Sequence, residues 1–293
     1  MAHPQPAIPE APAGPGFQDT VATRWKWLAT ATIAIALVAS ACGSSDGDSL
    51  PVTGQADDST AATSTQTDES ETDQTTQAEP DAGSEESANT VELVSGSVEV
   101  DGGLITTVRA DGSYAKSTVL FLHGAAYTSQ TWVQNEILAK VAEAGIDVIA
   151  IDLPSYGTSG RTGLESEEFL AGLFASLELD PATTTIVSPS MSGGFSLPAL
   201  RQPFFADLAG YVPVAPVGSG AFVAAGPALD IPALVIWGDG DGGDPQSAAE
   251  ALAASFTTST VLILPDAGHA AYQQQPELFA QALIEFVQLH EAD

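Results

Sequence analysis

Three serines stand at alternate positions in the stretch TTTIVSPSMSGGFSLP: Ser188, Ser190 and Ser192, straight after a β-branched run and just before two glycines. A serine hydroxyl attacks poorly at neutral pH unless an imidazole takes its proton and a carboxylate holds that imidazole in the right tautomer. Both partner types occur further along the chain. Asp239 and Asp241 lie in GDGD after the apolar run ALVIW, and His269 lies in PDAGH after VLILP. Serine, carboxylate and histidine in that order are the parts of acyl transfer through a covalent intermediate. That chemistry also needs backbone N–H groups to receive the oxyanion, each worth about 3–4 kcal/mol in the transition state.

These parts work only if the fold brings them together, so the elements that carry them matter. VELVSGSVEVDGGLITTVRA alternates and turns at Asp101-Gly102-Gly103, which predicts a hairpin. STVLFLHG, IDVIAIDLP, TTTIVSPS, LAGYVPVAPVG, PALVIWGDGD and TVLILPDAGH read as buried strands. Between them QTWVQNEILAKVAEAG reads as one helix capped by Gly145. EEFLAGLFASLEL, a segment from about Met191, PQSAAEALAASF and PELFAQALIEFVQLH also carry helical spacing. Continuous apolar strands alternating with helices predict an α/β fold, with a mostly parallel, doubly wound sheet behind the N-terminal antiparallel hairpin. Such sheets bind ligands at the carboxyl ends of their strands. Every candidate residue sits just past such an end, including His123-Gly124-Ala125 after VLFL.

The turn that presents a nucleophile folds sharply and needs small residues two before and two after it. Ser190 has Ser188 and Ser192 there; Ser192 has Ser190 and Gly194, which also fits. Ser190 is favoured because it lies nearer the strand end, and because Gly193 then leaves room for close helix packing in the next turn. Ala125 and Met191 are the positions whose backbone N–H groups would receive the oxyanion. Asp239 and Asp241 both offer a carboxylate in one loop, while Asp244 reads as the cap of the following helix and Asp152 as part of a structural turn. Of the four histidines, His3 and His290 lie near the ends and His123 sits where an imidazole orients backbone. Cysteine is absent from the folded part and its histidines are isolated, so no metal site or other cofactor is expected.

The order Ser…Asp…His is that of α/β-hydrolases. SPSMSGGFSLPAL, GYVPVAPVG, PALVIWGDGD and VLILPDAGHAAYQQQPELF, with VLFLHGAAYTSQTW and VIAIDLPSYGTSG, resemble the α/β-hydrolase domain-containing protein 14 family. Its turn reads Ser-x-Ser-x-Ser rather than Gly-x-Ser-x-Gly. The resemblance spans about residues 95 to 290 and implies Ser190 as nucleophile, Asp241 as acid and His269 as base. It also implies an acyl hydrolase, with acetyl-lysine deacylation to coenzyme A associated with the family. Only SGAFVAAGPALDI separates the strands between which many α/β-hydrolases insert a lid, so a shallow, lidless site without a large lid domain is expected.

The rest of the 293 residues differs in kind. Residues 1–41 carry Arg24 and Lys26 ahead of an uncharged apolar run, WLATATIAIALVASA, short of the roughly 20 residues a membrane span needs. The only cysteine, Cys42, comes right after its small-residue end, which resembles a lipoprotein signal with Cys42 as the lipidated residue. The other reading is an uncleaved membrane anchor. Residues 42–90 hold no Lys or Arg and almost no large apolar residue, which marks a disordered acidic linker. Residues 91–293 are the hydrolase domain. These features together place the domain outside the cytoplasm on a bacterial membrane. Coenzyme A is scarce there, so water is the expected acceptor. A net charge of −31 argues against nucleic acid as partner. The expected partner is a small acyl-bearing substrate, an ester or an acetylated amine. Transfer to an acceptor other than water and a non-catalytic binding module on the same fold are the rival functions.

Overall fold

The computed structural model describes residues 91–111 and 115–291. The expected export signal, Cys42 and the acidic linker lie outside the described residues.

The chain builds one eight-stranded sheet in the order β1-β2-β4-β3-β5-β6-β7-β8. The strands are β1 (Val94–Val100), β2 (Gly103–Ala110), β3 (Thr118–Phe121), β4 (Asp147–Ile151), β5 (Thr184–Pro189), β6 (Gly210–Val214), β7 (Ala233–Gly238) and β8 (Ser259–Leu264). β1 and β2 form the expected hairpin. Asp101 at φ 43° and Gly102 at φ 78° make its two-residue turn, both in the left-handed region that matches the twist of paired strands. β2 also runs antiparallel to β4, and every pairing from β4 to β8 is parallel.

Helices cover both faces. On one, α3 (Ser166–Leu177) buries Phe169, Leu170, Leu173 and Phe174 in one cluster with Leu120, Ile149 and Ile186. On the other, the Trp132 ring sits 5.0 Å from Phe121 and 5.8 Å from Phe279 of α8 (Pro276–Leu289). Parallel strands buried on both sides need no polar alternation, which is why they read as continuous apolar runs.

One expected helix is two. α1 (Ser129–Gln134) and α2 (Ile137–Glu143) are separated at Glu136, which stands at φ 58°. The buried residues explain the break. Trp132 is followed by Ile137, Leu138 and Val141, a first step of five where a continuous helix allows three or four. Trp132 is fixed by its Nε1–H donating to Leu122 O at 2.9 Å and by stacking on Tyr272 at 4.4 Å. One left-handed residue therefore absorbs the phase slip and lets both apolar faces bury. Gly145, at φ 82°, ends α2 as expected.

The remaining helices are α4 (Gly193–Ala199), α5 (Ser219–Ala224), α6 (Pro245–Ala253) and α7 (Ala271–Gln274). α5 is the single helix between β6 and β7, so no large lid covers the sheet's carboxyl edge. The order reverses at β3, whose neighbours are β4 and β5. The crevice past β3 and β5 is thus the switch point where open sheets bind ligands, and it holds the loops of His123 and Ser190.

Candidate active site

Ser190 directly follows β5, at φ 48°. A non-glycine residue there costs on the order of 1–3 kcal/mol and persists only where its surroundings over-determine it. Two neighbours hold it. Its own carbonyl accepts from Val217 N–H at 2.8 Å, and Gly193 packs directly on the Pro216–Val217 backbone. A Cβ on Gly193 would lie 2.5 Å from Val217 O and 2.7 Å from Pro216 Cβ, so only glycine allows the turn to seat against the loop after β6.

The loops after β7 and β8 meet the turn from the other side. Gly238 approaches the carbonyls of Ala267 and Gly268 so closely that any Cβ would collide with them. Gly240 N–H donates to Ala267 O at 2.8 Å, and Asp239 Oδ1 accepts from Ala267 N–H at 3.2 Å. This seam carries Asp241 to His269. His269 Nδ1 lies 3.0 Å from Asp241 Oδ2, and His269 Nε2 lies 2.8 Å from Ser190 Oγ. With the serine proton donated to Nε2, the imidazole holds its own proton on Nδ1 and donates it to the carboxylate. Asp241 Oδ1 accepts from Gly242 N–H at 2.9 Å, which aims the carboxylate. The His269 side chain is 55% exposed and that of Asp241 16%. The proton-accepting end of the site is therefore open to solvent, and the carboxylate is sheltered behind it.

Ser192, which also has small residues on both sides, points the other way. It is wholly buried, and its hydroxyl donates to Pro189 O at 2.8 Å. The two serines are separated by geometry: Ser190 meets the imidazole and Ser192 braces the turn beneath it.

His123 is fully buried, and burial lowers its pKa. Its Nε2 accepts from Leu153 N–H at 2.9 Å, so the ring proton must sit on Nδ1, which lies 2.8 Å from Gly124 O and donates to it. That carbonyl also accepts from Tyr127 N–H at 3.1 Å. C=O and N–H point to opposite edges of a trans peptide. Pinning Gly124 O thus fixes where Ala125 N–H points, and pinning Ser190 O does the same for Met191 N–H. The two loops lie side by side, since a Cβ on Gly124 would be 3.5 Å from Ser190 Cβ. Ala125 and Met191 accordingly flank Ser190 from two different loops.

The other acidic residues have structural partners. Buried Asp152 accepts from Ser129 N–H at 2.8 Å and Thr158 N–H at 3.1 Å, tying the start of α1 to the loop after β4. Asp244 caps α6 through Ser247 N–H at 3.1 Å. His290 lies 2.8 Å from Phe286 O at the end of α8, remote in sequence and fold from the site. Among the described residues no group of three or more His, Cys, Asp or Glu could hold a metal ion, and no helix is long and apolar enough to cross a membrane.

Sequence reasoning missed the polar support under the turn. Ser188, Ser192, Ser196 and Tyr211 are all buried and linked by hydroxyl contacts. The spacing of four between the serines was the available signal, because it stacks side chains along one face of a turn entering a helix.

Comparison with known proteins agrees with this architecture. The model for the alpha/beta hydrolase family matches residues 119–228. Human ABHD14B, which is named for protein-lysine deacylation, is 37% identical over 211 residues, covering 69% of this chain and 98% of that protein. Rat ABHD14A is 34% identical over 178 residues, 59% of this chain and 72% of its own length. Among solved structures, a predicted CIB-like hydrolase from Thermoplasma acidophilum superposes with a TM-score of 0.62 at 20% identity, over 68% of this chain and 99% of that one. The carboxylesterase CesB of Bacillus subtilis gives 0.56 at 16% identity, over 67% and 92%. At these identities the two structures speak to the fold.

Proposed function

The chain belongs to the α/β-hydrolase family and resembles its ABHD14 members, and from that premise we propose that it is a serine hydrolase that removes small acyl groups through an acyl-enzyme on Ser190. The observation that carries the reading is the pair of contacts joining Ser190 Oγ to His269 Nε2 at 2.8 Å and His269 Nδ1 to Asp241 Oδ2 at 3.0 Å.

In this mechanism Ser190 Oγ attacks the acyl carbonyl carbon while His269 Nε2 takes the hydroxyl proton. Asp241 stabilises the imidazolium through Nδ1–H. The oxyanion is received by the N–H groups of Ala125 and Met191, aimed by His123 and Val217. Collapse breaks the bond to the leaving amine or alcohol, which takes the proton from His269. Water then attacks the acyl carbon while giving a proton to the same imidazole, the bond from that carbon to Ser190 Oγ breaks, and His269 returns the proton to Oγ as the acid leaves. The exposed histidine and the absence of a large lid support short acyl groups or acyl groups carried on a larger, protruding substrate. The deacylase name of ABHD14B adds acylated lysine to esters as a substrate class.

Tethering is part of the proposal and rests on sequence alone. The apolar run before Cys42 and the acidic stretch after it support export and lipid attachment at Cys42, outside the cytoplasm. Water is then the acceptor.

Hydrolysis of p-nitrophenyl acetate and of an acetyl-lysine peptide, each with and without added thiol, tests the reading. Free acetate formed equally in both conditions supports hydrolysis. Acyl-thiol formed at the expense of acetate would make the enzyme a transferase. No turnover of either substrate, with no acyl-enzyme, would leave a binding module. The mass of the mature N-terminus tests lipid attachment: an unmodified, uncleaved Met1 would remove the lipoprotein reading of Cys42 and leave the uncleaved anchor.

A further inference from the structure

Beneath Ser190, four hydroxyls form a chain whose direction is set by counting protons. Ser192 Oγ lies 2.8 Å from Pro189 O, a carbonyl that can only accept, so the Ser192 proton is committed there. The 3.0 Å contact between Ser188 and Ser192 must then use the proton of Ser188. The 2.7 Å contact between Ser196 and Ser188 must use that of Ser196, and the 2.8 Å contact between Tyr211 and Ser196 that of Tyr211. No other assignment gives each of these four contacts a proton. The alternative bond from Ser196 to Ser192 O is longer, at 3.1 Å. All four side chains are fully buried, out of reach of bulk solvent. Burial also pushes the Tyr211 pKa up to about 12, which keeps its proton in place.

The chain runs from β6 (Tyr211), through α4 (Ser196) and β5 (Ser188), to the peptide that enters Ser190. That peptide sets φ of Ser190, the strained angle at 48°. The carbonyl on the far side of Ser190 is already held by Val217 N–H at 2.8 Å. Both peptides flanking the nucleophile are thereby clamped, one by backbone and one by side-chain hydroxyls.

We propose that Tyr211, Ser196, Ser188 and Ser192 form a one-way hydrogen-bonded chain that holds the Pro189–Ser190 peptide, and that Tyr211 is a remote positioning residue for the nucleophile. The inference rests on Ser190 being the nucleophile. The serines that replace the usual glycines of the turn are then functional parts, because glycine at 188 and 192 would remove three of the four contacts and leave only Tyr211 to Ser196. Small misplacement of a reacting group costs up to about 10²-fold in rate, and this chain guards against that.

The test uses the full-length protein and a fluorophosphonate probe, with second-order inactivation rates and thermal midpoints measured in parallel. Tyr211→Phe removes the hydroxyl and keeps the ring. Ser196→Ala cuts the middle, and Ser196→Thr keeps the hydroxyl. Tyr211→Phe and Ser196→Ala should each slow inactivation by about tenfold and lower kcat on p-nitrophenyl acetate with KM unchanged. Ser196→Thr should recover most of the rate. A purely architectural role would instead shift the thermal midpoint and leave the rate of the folded fraction at the wild-type value, which would overturn the proposal. Equal inactivation rates in wild type and all variants would overturn it alone. A wild type that is not labelled at all would remove the nucleophile and this inference with it.

Discussion

Two hydrogen-bonded chains meet at the turn after β5, one above it and one below. The upper runs Asp241–His269–Ser190 and opens to solvent, with the His269 side chain 55% exposed. The lower runs from Tyr211 to Pro189 O and is sealed in the core. Both are built from weakly acidic hydroxyls and short contacts, but the upper contains an imidazole and a carboxylate. It can accept a proton, stabilise the resulting charge and hand the proton to a leaving group. Every hydroxyl of the lower chain donates to a neighbour already in place, so it can only hold. Exposure and the presence of a base, rather than hydroxyl density, separate chemistry from support.

Substitutions at equivalent depths should break the two sides unequally. The largest effect is expected above the turn: Ser190→Ala should lower kcat/KM by about 10⁴-fold or more. Asp241→Asn should cost about 10²–10⁴-fold, because the amide favours the wrong imidazole tautomer. Both are read from steady-state rates on an aryl acetate. His123→Gln should cost about 10²-fold in kcat, the loss expected when one oxyanion donor is misaimed. Asp239→Asn, one turn of loop away from Asp241, should change kcat/KM by no more than about threefold, since an amide oxygen can still accept from Ala267 N–H.

The two strand-end histidines differ in the same way, His269 exposed and His123 buried. His123 is buried with both ring nitrogens bonded and its pKa lowered by that burial. The unfolded chain binds a proton at this residue more readily than the folded one, so stability rises with pH across this window. The contribution is complete above the ordinary value of 6.5 and is lost as pH falls through the lower folded value. Denaturant unfolding between pH 5 and 8 should show this slope in the wild type and a shallower one in His123→Gln.

Much of the upper chain was legible because its residues end strands. A buried parallel strand announces itself as a continuous apolar run, and the residues just past its carboxyl end lie on the binding edge. The strand ends pointed to the Ser190, His269 and His123 loops and to the pair Asp239 and Asp241, between which only the family resemblance chose. Small residues flank both Ser190 and Ser192, so nearness to the strand end and the place of Gly193 favoured Ser190; burial separates them. The lower chain was not legible. Tyr211 sits on a different strand, and its link to Ser196 depends on how α4 packs against β6, which no local period encodes. The break at Glu136 was missed for a similar reason: Asn135-Glu136 carries no glycine or proline, and only the depth of Trp132 forces the helix to slip. α5 and α7 are too short for a helical period to register.

The central claim is that the hydroxyl above the turn attacks and the one below does not. Intact-protein mass spectrometry after fluorophosphonate treatment, followed by peptide mapping, reads this directly. The account expects one adduct per chain, located on Ser190, absent from Ser190→Ala and retained in Ser192→Ala. An adduct on Ser192, or no adduct on the folded wild-type protein, would contradict it.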